Sequence, residues 1–136
     1  MANIKEIEAR REARAKKEKL EREARDARDL EALDELEEKH GGANLMQIPM
    51  QTPLNLPGMA IIRRPDGAEY RNWIAVTRKG SKGEQHEASR RLGLDCLLYP
   101  DVGVWEAVVE ACPGISDTIG FAAVKFSGGV LEQKND

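Results

Sequence analysis

The stretch "MAIIRRPDGAEYRNW", residues 59–73, decides how the rest of the chain is read. An unbroken apolar run, Met59 to Ile62, meets the basic pair Arg63-Arg64, and Pro65 then closes the segment. A run of that length suits a short strand, and a proline cannot donate to a ladder. Asp66 and Glu69 stand three apart behind the proline. At that spacing each side chain accepts the other residue's backbone N–H at a helix start. Tyr70, Trp73, Ile74 and Thr77 then recur on one helical face. A strand that passes through a proline into a capped helix opens a folded unit, so the domain begins near residue 58.

Downstream the punctuation is regular. The segment "TRKGSKGE" reads as a loop with two glycines. From Glu84, Ala88, Leu92, Cys96 and Tyr99 form a stripe that ends before Pro100. From Asp101, Trp105, Val108, Val109 and Cys112 form another, halted by Pro113. After Gly114, Ile115, Ile119, Ala122 and Phe126 align up to Gly128-Gly129. The expected fold is therefore mainly α: a small four-helix domain over 58–129 with one short N-terminal strand, then a flexible tail at 130–136. A core of about 70 residues buries only about 60% of its unfolded surface, which predicts modest stability or self-association.

Upstream lie two other materials. Of the first 40 residues 24 are charged, against 21 charged residues in the remaining 96. Residues 3–39 contain no Gly or Pro and place opposite charges four apart, at Glu6/Arg10, Glu12/Lys16, Glu18/Arg22, Glu21/Arg25 and Glu35/Lys39. Such pairs stabilise an isolated helix by about 0.2–0.5 kcal/mol each. The arm, 1–41, is expected to be a solvated, partly frayed helix that Gly41 and Gly42 stop. Leu20, Ala24, Ala27 and Leu30 hold an apolar face only briefly, short of a sustained heptad seam. Residues 10–25 carry eight basic and four acidic groups, and 26–38 carry seven acidic and one basic. The interleaved glutamates, with a net charge of −3, argue against a nucleic-acid arm.

Residues 42–57 form an extended strap. Met46, Ile48 and Met50 alternate with polar residues, Leu54 and Leu56 repeat the pattern, and prolines fall at 49, 53 and 57. Alternation with prolines predicts an edge strand or polyproline-like segment, covering either its own core or another chain's.

Catalytic and metal motifs are missing from this pattern. His40 and His86 stand in unrelated contexts, "KGSKG" lacks phosphate-loop spacing, and neither Cys96 nor Cys112 has a ligand partner nearby. The expectation is a non-enzymatic protein without cofactor or metal, with buried reduced thiols. "MANIKEIEAR" has no apolar signal core and no stretch reaches the roughly 20 apolar residues of a membrane span, so a cytoplasmic protein is expected.

The order over 59–128 resembles the core of small bacteriophage tail assembly chaperones. It comprises a strand ending in basic residues and proline, an acidic and aromatic helix, and a stripe closing on "CLLYPD". The segments "WEAVVEACPGI" and "ISDTIGFAAVKFSGG" follow. The charged arm and the strap lie outside that likeness. The resemblance implies a holdase that coats the tape-measure protein and helps recruit tail-tube subunits in the host cytoplasm. A structural virion component, whose arm and strap contact capsid or neck subunits, is the alternative reading. Candidate partner-binding residues are Met46, Ile48, Met50, Leu54, Leu56, Arg63, Arg64 and Trp105.

Overall fold

The computed structural model describes residues 3–128, so the tail expected at 130–136 lies outside the described residues. A long helix, α1 (Ile4–His40), opens the chain, capped by the Asn3 side chain, which accepts from the Glu6 N–H at 2.9 Å. Gly41, at φ 80°, ends it. A short 3-10 turn leads into strand β1 (Leu45–Pro49), followed by β2 (Met59–Arg63), α2 (Gly67–Lys79) and α3 (Lys82–Cys96). Strand β3 (Leu97–Tyr99), α4 (Val102–Ala111) and α5 (Ile115–Ser127) complete the order. The mainly helical architecture and the four-helix domain agree with the sequence reading. The expected capping box is formed: Asp66 accepts from the Glu69 N–H at 2.8 Å, and Glu69 from the Asp66 N–H at 3.0 Å.

The three strands form an antiparallel sheet in the order β1-β2-β3, so the strap is an edge strand bound in cis. Met50 donates to the Gly58 carbonyl and Arg64 to the Asn44 carbonyl. Alternation along the ladder then turns the even-numbered residues of β1 toward β2 and the odd ones outward. Pro49, paired with Met59, therefore points its missing N–H away from the ladder, which is why a proline is accommodated there.

The apolar stripe from Glu84 to Tyr99 predicts a helix as far as Tyr99, whereas residues Leu97–Tyr99 form strand β3. Helix α3 instead ends at Cys96, because Pro100 disfavours helical backbone at Tyr99. A register shift between Ile61↔Tyr99 and Ile62↔Leu97 inserts one extra residue. Leu97 thus faces the helical core, while Tyr99 joins the opposite face of the sheet.

That opposite face receives α1. Ala60 and Ile62 enter the main core with Ile48, Leu92, Cys96, Trp105, Val108, Ile119, Ala123 and Phe126. Ile61 points the other way and is 0% exposed. Leu33 of α1 is buried as well, and Asp29 is buried between the layers. Its carboxylate accepts from the Gly58 N–H at 3.0 Å and from the Tyr99 hydroxyl at 2.6 Å. Burial, and the bond to Asp29, push the Tyr99 phenol well above its ordinary range. Residues 3–24 of α1 are exposed throughout, so the helix docks only through its C-terminal half.

On the far side of the sheet α3 crosses α5 at backbone contact. A Cβ on Gly93 would lie 2.7 Å from the Gly120 nitrogen, and one on Gly120 would lie 2.6 Å from the Ser89 carbonyl oxygen. Arg90 and Asp117 pair across this crossing at 2.7 Å.

Two stability measurements test this scheme. Asp29→Ala leaves the Gly58 N–H and the Tyr99 hydroxyl, both half-buried, without their acceptor and is expected to cost about 2–4 kcal/mol in urea unfolding. Asp26→Ala, on an exposed neighbour, should stay within about 0.5 kcal/mol. Gly120→Ala should cost about 1–3 kcal/mol or more, because the opposing atoms are backbone and cannot swing aside.

Candidate protein-interaction surface

The eight residues singled out in the sequence mostly face inward. Ile48, Met50 and Trp105 are buried in the core, Trp105 at 4% exposure, and Met46 and Leu56 pack against that core. Leu54 is half-buried in the turn between β1 and β2. The strap thus covers its own domain with most of its apolar side.

Arg63 and Arg64 diverge at the end of β2 and clamp different elements. Arg63 forms a two-pronged pair with the Glu69 carboxylate at 2.7 and 2.9 Å, and donates to the Asp95 carbonyl at 3.1 Å. It joins the start of α2 to the end of α3. Arg64 donates to the Phe126 carbonyl at 3.0 Å and to the Ala43 carbonyl at 2.9 Å. Its guanidinium also lies over the Phe126 ring at 4.3 Å. It therefore fastens the C-terminus of α5, where carbonyls lack helical partners, to the start of the strap. The pair is the polar stitching of the fold.

Helices α2 and α3 are held by a polar relay. The Trp73 indole donates to the Ser89 hydroxyl at 3.0 Å, Ser89 donates to the Gln85 carbonyl at 3.1 Å, and Gln85 reaches the Thr77 carbonyl at 2.8 Å. Cys96 and Cys112 are both free; burial pushes the Cys96 thiol up to about 11, which makes it a poor nucleophile. Among the described residues no three His, Cys, Asp or Glu side chains gather as a metal-holding group. No single helix among them is long and apolar enough to cross a membrane.

The exposed apolar surface lies elsewhere. Phe121 on α5 is 63% exposed and forms a ridge between two clefts. One, of about 410 Å³, runs between α5 and β1; Met46, Ile48, Pro49 and Ala122 form its apolar wall, and Gln47, Asp117, Thr118 and Lys125 its polar wall. The other, of about 390 Å³, lies toward α2 and α3 and is lined by Trp73, Thr77, His86 and Ser89. A third cleft of about 380 Å³ between α3, α4 and α5 is edged by Leu94 and Val102, both exposed. Phe121 carried a signal in the sequence. It stands two positions from Ile119, off the Ile115/Ile119/Ala122/Phe126 stripe, and a large aromatic off the buried face is a mark of an interaction site.

The Arg63 partnership carries a pH signature. Its hydrogen bonds hold the Glu69 carboxyl down to about 2, below the ordinary 4.5. A depressed carboxylate stabilises the folded state above its unfolded value, and that contribution fades as pH falls toward the folded one. The stability difference between wild type and Glu69→Gln should be about 2 kcal/mol near neutrality. It should shrink below pH 4.5 and vanish near pH 2 in urea titrations. No protein-family model matches the chain, and neither a curated protein nor a solved structure matches it.

Proposed function

We propose that the protein is a non-catalytic assembly factor of the phage tail assembly chaperone kind. It acts in the host cytoplasm and shields an amphipathic helix of the tape-measure protein, or a tail-tube subunit, before the tail closes. The observation that carries this reading is the Phe121 ridge flanked by two clefts. A holdase must present apolar surface to a helix that has not yet reached its final neighbours. An aromatic ridge between grooves offers an anchor and room for side chains on either side. The order of elements over 59–128, with its basic strand end, proline punctuation and final small-residue helix, supports the same reading.

A structural virion component is the second reading, and the arm favours it. Residues 3–24 of α1 are exposed on every face, as a segment meant to lie along a neighbour would be.

One experiment separates the two. Mature particles are analysed by mass spectrometry, and the protein is used as bait in lysate from infected cells, alongside Phe121→Glu. A chaperone is missing from particles and captures the tape-measure or tube protein, and Phe121→Glu reduces that capture about tenfold or more. Many stoichiometric copies in the particle would overturn the chaperone reading and support the structural one.

A further inference from the structure

Helix α1 has two faces with different fates. Arg25, Asp29, Leu33 and Leu36 recur every three or four positions and turn toward the body of the protein. At 3.6 residues per turn the opposite face carries Lys16, Lys17, Leu20, Ala24, Ala27, Glu31, Asp34 and Glu35, with Leu30 on its flank. All of these are exposed, Leu20 at 67% and Leu30 at 62%.

This free face is complementary to itself read backwards. About a centre between residues 25 and 26, Ala24 mirrors Ala27, Lys17 mirrors Asp34, and Lys16 mirrors Glu35. Leu20 mirrors Glu31 and stands one residue from the mirror position of Leu30. Laid antiparallel on a second copy, the helix sets small residues at the middle, where axes approach closest, and brings Leu20 of each copy beside Leu30 and the stem of Glu31 of the other. Lysines then face carboxylates toward both ends. The gross charge agrees, since eight basic and four acidic groups over 10–25 would lie on seven acidic and one basic over 26–38. A parallel pair would set like charges together, so the charge order also selects direction. The domain body occupies the other face of α1, leaving this one clear along its length.

We propose that the exposed face of α1 pairs antiparallel with α1 of a second copy, making the protein a homodimer. The seam runs from Ala13 to Glu38, about 40 Å at 1.5 Å per residue. The two domains lie on the outer faces of the pair. This inference is independent of the chaperone reading, which rests on the Phe121 surface; it shares the exposed arm with the virion reading.

The test uses the full chain in sedimentation equilibrium over about 1–100 μM. Wild type is expected to dimerise. Lys16→Glu with Lys17→Glu, or Asp34→Lys with Glu35→Lys, should raise the dissociation constant about tenfold or more. All four changes together re-establish opposite charges across the antiparallel seam and should bring it back to within about threefold of wild type. Direction is checked by disulfide trapping. Leu20→Cys and Leu30→Cys should cross-link when mixed, and neither should cross-link with itself beyond the native-cysteine background. A wild-type monomer throughout the range would overturn the proposal. Self-cross-linking of Leu20→Cys alone would do the same, as would a fourfold variant that keeps its helical circular dichroism but stays monomeric.

Discussion

Strand β2 has no water-facing side: Ala60, Ile61 and Ile62 are all fully buried, so a layer is needed on each face of the sheet. Helices α3 and α5 supply one through Leu92, Cys96, Ile119 and Ala123. Only α1 can supply the other, and it does so with little apolar surface, essentially Leu33 with half-buried Ala32 and Leu36. The Asp29 carboxylate completes that thin layer by binding a backbone N–H of the strap's end and the hydroxyl of the third strand. One acidic side chain thereby joins the arm, the loop before β2 and the sheet's far edge. Its bonds gain strength from exclusion of water, and the same exclusion makes them hard to lose.

Much of this was legible. The capping residue Asp66, the proline after α4 and the glycine stop at Gly41 act through local backbone chemistry, and local chemistry is what a sequence displays; the Ser81/Glu84 capping box, by contrast, lies inside the stretch read as a loop, so α3 starts at Lys82 rather than Glu84. The edge position of β1 followed from Pro49 for the same reason. What escaped was long-range. The arm's brief Leu20/Leu30 stripe drew attention to the solvent side, whereas the docking face is marked by Arg25 and Asp29, residues that look like surface charge until Tyr99 and Gly58 are brought to them. The third strand was hidden because Cys96 and Tyr99 fit a helical stripe, and only the backbone restriction imposed by Pro100 tells against it. The uninterrupted run Met59 to Ile62 did hint at a strand buried on both faces, since a strand with one wet face alternates.

The candidate site shows the same division. Residues chosen for being apolar, such as Ile48, Met50 and Trp105, are the ones the fold itself consumes, because burial is where apolar side chains go by default. Arg63 and Arg64 look like a basic patch in one dimension. In three they face opposite ways, one toward a carboxylate and the other over an aromatic ring. Surface available to another molecule is left where the periodicity is broken, at Phe121, Leu94 and Val102.

The outward-turned Pro49 reaches beyond the local ladder. A three-stranded sheet has two open borders, and each is a template on which chains of the same kind could polymerise side by side. On one border the strand is only three residues long, Leu97–Tyr99. On the other, Pro49 removes an amide from the row that an incoming strand would need, leaving Leu45 and Gln47 as the outward donors within β1. Fibre-like growth through the sheet is thus blunted at both borders, while the helical surfaces remain open.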